Sequence, residues 1–200
     1  MRRKKVSINN SVDYDKFLKK INIYKSILYH YTYFIVENNI HDEMIEYITN
    51  ALNIKNRKER LEYVYDKTCE FIDNKNKQIN ICGFKNGKCY IQRKSKQKNC
   101  NGCCRKCLYQ SKNGCLTKNV ACKLFNCSEV KLRHEVVKYK ELKLLRLLSL
   151  KNRFIIKSDY FSRREDVLRD LYAYSLIYST IRIVFRITRN FLIFDKNHKQ

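Results

Sequence analysis

The chain has 200 residues, 44% hydrophobic and 31% charged, with ten cysteines, no proline and a formal net charge of +24. That apolar fraction excludes a disordered chain, and the length suffices for one domain with its own core or for a small metal module set between helical parts. The charge calls for an anionic partner, either nucleic acid or an acidic membrane surface.

In chain order, residues 1–10 read as a basic tail. No apolar stretch follows the basic start as in a signal peptide, so the expected location is cytoplasmic. From Val12 onward Phe17, Leu18, Ile21, Tyr24, Ile27, Leu28, Tyr31, Phe34 and Ile35 recur at steps of three and four, which predicts one helix to about Asn38. A second helix is predicted from about His41, with Met44, Ile45, Ile48 and Leu52 inward, and a third over 56–74 through Leu61, Val64, Tyr65, Cys69 and Ile72. Cys69 falls on that apolar stripe and reads as a core thiol.

The period then changes. Residues 81–85 and 88–92 flank Asn86-Gly87, a two-residue hairpin signal that pairs Phe84 with Cys89. Alternation puts Cys82, Phe84, Cys89 and Ile91 on one face. Cys82 and Cys89 are then diagonal neighbours about 7–8 Å apart, too far for a relaxed disulfide yet able to converge on one metal ion.

The basic linker RKSKQK leads into CNGCCRKCLYQSKNGCLTKNVACKLFNC, which holds Cys100, Cys103, Cys104, Cys107, Cys115, Cys122 and Cys127. Each Cys-x-x-Cys pair puts two sulfurs on one tight turn, the spacing of a zinc or iron–sulfur site. Gly102 and Gly114 precede cysteines where a knuckle turns sharply. Residues 79–127 carry eleven Lys and Arg and no Asp or Glu, a field that favours thiolates. Disulfides and redox-active thiols are the competing readings.

The run Cys100-Asn101-Gly102-Cys103-Cys104, followed by Gly114-Cys115-Leu116, Cys122 and Cys127, resembles the zinc- or iron-chelating cysteine-cluster proteins of the YkgJ-like family. The resemblance covers this stretch alone and implies metal chelation. That family has a further cysteine where Gln97 stands and an Arg-Pro pair before its last cysteines, and Cys107 is additional here.

Beyond the cluster, Ser128 is expected to cap an amphipathic helix to about Leu150, and RFIIKSDY over 153–160 reads as extended. Ser162-Arg163-Arg164-Glu165 has the form of a capping box opening a long helix to about Phe194. Its longest uncharged run, Leu171 to Ile181, falls short of the roughly twenty residues a membrane span needs. Arg182, Arg186 and Arg189 form a charged edge, expected on the outside of a core helix or against anionic lipid or nucleic acid.

These elements predict a mainly α protein with a small cysteine-rich β-hairpin or zinc-knuckle module in the middle, divided into residues 1–78, 79–127 and 128–200. No Gly-rich phosphate loop, nucleophile elbow or HExxH stands in the chain, so nothing demands an enzyme. The expected function is that of an intracellular protein with structural Zn2+ and a basic surface that binds nucleic acid. Arg93, Lys94, Lys96, Lys98, Arg105, Lys106, Lys112, Lys118 and Lys123 would contact phosphates. Tyr90 and Tyr109 are candidates for base stacking, with ordinary packing the better reading of each. The alternatives are an iron–sulfur or thiol redox protein and a metal-stabilised module for a protein partner, with peripheral contact to an anionic membrane also open.

Overall fold

In the computed structural model the first residues form a strand rather than a tail. β1 (Arg2–Ile8) pairs in parallel with β2 (Thr32–Asn38), from Arg2 opposite Thr32 to Ile8 opposite Asn38. The structure describes residues 2–24, 31–83, 85–86, 88–90, 93, 110–111, 114–115, 117–173 and 175–198. Among these it is mainly helical, and the chain divides into two compact units, residues 1–68 with 140–153 and residues 69–139 with 154–200.

In the first unit, α1 (Ser11–Ile23) starts at Asn10, whose side chain accepts from Asp13 N at 2.9 Å. α2 (Glu43–Asn53) starts at Asp42, which accepts from Met44 N at 2.7 Å. Such caps satisfy backbone donors that the first turn leaves over, and each contributes about 1 kcal/mol. The long helix predicted to Asn38 therefore stops early. Thr-Tyr-Phe-Ile-Val is a β-branched and aromatic run that fits a pleated surface, and alternation buries Thr32 and Phe34 while Tyr33 and Ile35 stay exposed. β1 becomes a strand because β2 offers it a ladder: Lys5 pairs with Glu37 across the strands at 2.5 Å, and Ser7 donates to Glu37 at 2.6 Å. On the other edge of β2, the Asn53 amide accepts from Phe34 N and donates to Phe34 O, both at 2.8 Å.

Phe17, Ile21, Phe34, Ile45, Ile48 and Leu52 form the core of this unit, joined by Leu144, Leu145 and Leu147 from a 3-10 turn (Lys143–Leu147) that packs on α1 and α2. The helix expected over 128–150 is thus not continuous. It ends at His134, whose backbone is extended (φ −135°, ψ 144°), and β-branched Val136 and Val137 follow without regular structure. α3 (Arg57–Gln78) forms as predicted and runs somewhat further.

The second unit contains the end of α3, α4 (Val120–Leu124), α5 (Ser128–Arg133), the last part of α6 (Leu150–Ser158), α7 (Arg164–Tyr172) and α8 (Leu176–His198). Ile72, Val120, Ala121, Ile155, Ile156, Leu171 and Ile183 are buried in it. α6 replaces the expected extended piece, since Asn152, Ile155, Ile156 and Asp159 are buried at steps of three and four. Cys127, not Ser128, occupies the cap position of α5, and it makes no side-chain cap bond.

The long C-terminal helix is two helices. The backbone leaves helical geometry at Ala173 (ψ 143°), and Ser175 restarts it by accepting from Tyr178 N at 3.2 Å. The capping box is not made either: Arg163 sits at the cap of α7 without a side-chain bond, and Ser162 is turned into the interior. Among the described residues no helix is long and apolar enough to cross a membrane.

Candidate functional site

Of the nine candidate metal ligands, Cys100, Cys103, Cys104 and Cys107 lie outside the described residues. Cys115 is described through its backbone alone, in the short antiparallel pair β3 (Gln110–Ser111) and β4 (Gly114–Cys115). Cys89 is buried, and Cys82, Cys122 and Cys127 are half-buried thiols. Among the described residues no three His, Cys, Asp or Glu side chains converge as a metal ion would require. Cys69 is buried on α3.

Around the predicted hairpin the structure shows one β-bridge, Lys85 with Lys88, about a turn where Asn86 takes a positive φ of 52°. This is the register that sets 84 opposite 89, but no further ladder is built among the described residues, and Phe84, Gly87 and Ile91 lie outside them. Arg93 braces the turn by donating to Gly83 O at 2.5 Å and Lys88 O at 2.8 Å. Its guanidinium serves the local fold. Lys123 pairs with Asp73 at 2.5 Å and is largely buried, while Lys118 is exposed. Lys94, Lys96, Lys98, Arg105, Lys106 and Lys112 lie outside the described residues, as does Tyr109. Tyr90 has the Arg133 guanidinium 3.8 Å from its ring centroid, a packing role.

α4, which carries Cys122, is capped and tied to a second segment by Asn119. Asn119 accepts from Cys122 N at 2.9 Å and so caps the helix; its amide group donates to Asp159 O at 2.7 Å and Ser162 O at 3.2 Å. The corner at 159–162 closes the contact from the other side, because Phe161 N donates to Cys122 Sγ at 3.1 Å. Phe161 adopts φ 62°, a left-handed conformation that bulky side chains rarely take, so its surroundings must enforce it. Its ring packs edge-on to Phe191 at 5.7 Å.

Behind this corner lies a charged network. Arg186 donates to Ser162 Oγ and Asp159 Oδ2 at 2.7 Å each and to Asp170 Oδ2 at 2.6 Å, and Arg182 reaches Asp170 Oδ1 at 2.9 Å. Ser162 also donates to Asp159. Both carboxylate side chains are fully buried. Burial pushes the Asp159 carboxyl up to about 6, with Asp170 adding to the rise and Ser162 and Arg186 opposing it. Burial alone would lower Arg186, but the hydrogen bonds and charges of Asp170 and Asp159 hold it above its ordinary value. Arg182 and Arg186 of α8 therefore face inward, a reversal of the sequence expectation, while Arg189 stays exposed as expected. Ile177, Ile181 and Phe185 take the exposed side.

Between α4, residues 131–139 and the end of α6 lies a cavity of about 530 Å³. Ala121, Leu124, Val136 and Val137 supply apolar lining, Tyr139 and Tyr160 supply rings, and Lys131, His134, Glu135, Lys138 and Lys157 supply the polar groups. Lys157 Nζ stands 5.9 Å from the Tyr139 centroid. Tyr160 is held edge-on to Phe125 at 6.3 Å, and burial, with the Cys122 sulfur adding, raises its phenol above the usual range. Sequence reasoning missed this site because it took the chain from Ser128 to about Leu150 as one continuous amphipathic helix. The signal available was the Val136-Val137 pair, which disfavours helix just where the chain opens to line the cavity.

The chain matches no family model, no curated protein and no solved structure.

Proposed function

We propose that this is a zinc-stabilised protein that binds nucleic acid through phosphate contacts. The observation that carries the reading is the segregation of charge: eleven basic residues and no acid between 79 and 127, the same stretch that holds all nine candidate ligands. Elsewhere in the second unit, Asp159 and Asp170 turn inward onto arginines and so do not offset that field at the surface. Cationic surroundings lower thiol pKa values and attract polyanions at once.

Cys100, Cys103, Cys104 and Cys107, or a set mixed with Cys115, Cys122 and Cys127, would hold the ion. A thiolate set suits zinc, which would supply a structural tie to a segment with few apolar residues of its own. The bond from Phe161 N to Cys122 Sγ supports this, because amides directed at sulfur stabilise the ligating form. The likeness of 100–127 to YkgJ-like cysteine clusters points to the same chemistry.

Two measurements on protein purified without oxygen test the reading. Elemental analysis should give one or two zinc ions per chain and no visible absorption; iron with sulfide and a brown colour would replace it with the iron–sulfur reading. Binding to a fluorescein-labelled single-stranded oligonucleotide should weaken with a log–log salt slope of about −3 or steeper, as expected when on the order of five phosphates are neutralised. A flat salt response would remove nucleic acid as the partner.

A further inference from the structure

We propose that the cavity of the second unit is a binding pocket for one nucleoside phosphate, the terminal or unpaired nucleotide of a strand. This rests on the nucleic-acid reading for its class of ligand and on the cavity for its place. Its volume of about 530 Å³ lies in the range of small-molecule sites, which run from roughly 300 to 1,000 Å³. Its construction is that of such a site: Ala121 is buried, Val136, Val137, Tyr139 and Tyr160 are half-buried, and the ammonium-bearing Lys131, Lys138 and Lys157 are exposed at the rim.

The chemistry selects among anions. Inorganic phosphate would use the lysines and leave the valines and tyrosines with nothing to cover. A base attached to that phosphate uses both parts, because its face stacks on an aromatic ring while its phosphate reaches a cation beside the ring. Lys157 Nζ near the Tyr139 ring supplies that pairing of cation and aromatic surface. Three lysines against one carboxylate leave the rim cationic, and Glu135 offers an acceptor for an exocyclic amine of the base.

The position of the walls is fixed from behind. Tyr160 stands in the 159–162 corner that Asn119 ties to α4, so the apolar floor and the ring come from segments joined by hydrogen bonds of 2.7 and 3.2 Å. Preorganised walls lower the entropy a ligand loses on binding.

Calorimetric titration of the full chain with AMP, adenosine and inorganic phosphate tests the proposal, alongside the oligonucleotide assay. AMP should bind, with adenosine and phosphate each at least about tenfold weaker. The surface variant Lys131→Ala/Lys157→Ala should weaken AMP at least tenfold, and Val136→Trp, which fills the cavity, should abolish AMP binding. Phosphate binding as well as AMP, or AMP binding unchanged in both variants, overturns the pocket. Absence of AMP binding while the oligonucleotide keeps its steep salt slope overturns the pocket alone; loss of both overturns the nucleic-acid reading with it.

Discussion

Asn119 joins two segments forty positions apart, donating to the Asp159 carbonyl at 2.7 Å while its own oxygen starts α4 by accepting from Cys122 N. Removing it leaves a helix end uncapped and two buried carbonyls without their donor. Asn119→Ala should lower the free energy of unfolding by about 2–4 kcal/mol, measured by urea denaturation. Asn119→Asp keeps the cap acceptor but sets a carboxylate against those carbonyls and should cost at least as much. A loss under about 1 kcal/mol in both would mean that other contacts hold the corner.

Asp170 serves two arginines from a fully buried position, whereas Asp166 pairs with Arg169 near the surface. Asp170→Ala takes the carboxylate from Arg182 and leaves Arg186 with Asp159 and Ser162 alone, and should cost about 3–5 kcal/mol. Asp166→Ala breaks a pair that water already screens and should cost less than about 1 kcal/mol. Equal losses in thermal or urea unfolding would contradict the burial of the network.

Asp159 gives stability a pH dependence of unusual sign. Its carboxyl titrates near 6 when folded, against 3.8 ordinarily, so between about pH 4 and 6 the folded chain keeps a proton the unfolded chain has lost. Stability from this residue is therefore full below pH 4, falls as pH rises through 6, and is flat above, a change on the order of 2–3 kcal/mol. Asp159→Asn cannot ionise, so the difference in stability between variant and wild type should shift in the variant's favour across that window. A difference constant from pH 4 to 7 would refute the assignment.

If the cysteine cluster holds zinc, its members and the core thiol should separate cleanly. Cys103→Ser should reduce the metal content per chain, whereas Cys69→Ala, buried on α3, should retain all of it and lose about 1–2 kcal/mol of packing. Chelation by EDTA should then weaken oligonucleotide binding in the wild type. Metal content unchanged in Cys103→Ser would remove that residue from the ligand set.

Elements whose cause lies within a few residues were legible in the sequence. α2 and α3 followed from their apolar stripes, which keep one period from end to end. β1 was not legible, because RRKKVSI has no pattern of its own and becomes a strand through a partner thirty positions away. Ser162 illustrates a local signal losing to a tertiary one: its hydroxyl had a capping role within reach, but the buried Asp159 and Arg186 required it more. Arg182 and Arg186 looked like a solvated edge because their carboxylates stand on other segments, and polarity alone does not say which way a residue faces. For the site, spacing pointed to the cysteines, but it gave no sign of the cavity, whose lining comes from α4, residues 131–139 and the end of α6.

The order in which the first unit is assembled also bears on synthesis. Leu144, Leu145 and Leu147 complete the core begun by α1 and α2, yet the whole cysteine-rich stretch is encoded between them. At 5–20 residues per second a ribosome needs on the order of several seconds to make that interval. The nascent chain must therefore display every one of its cysteines while its earliest helices still wait for the leucines that cover them. A chaperone holding those helices would act in the same seconds in which the thiols first become available to an ion.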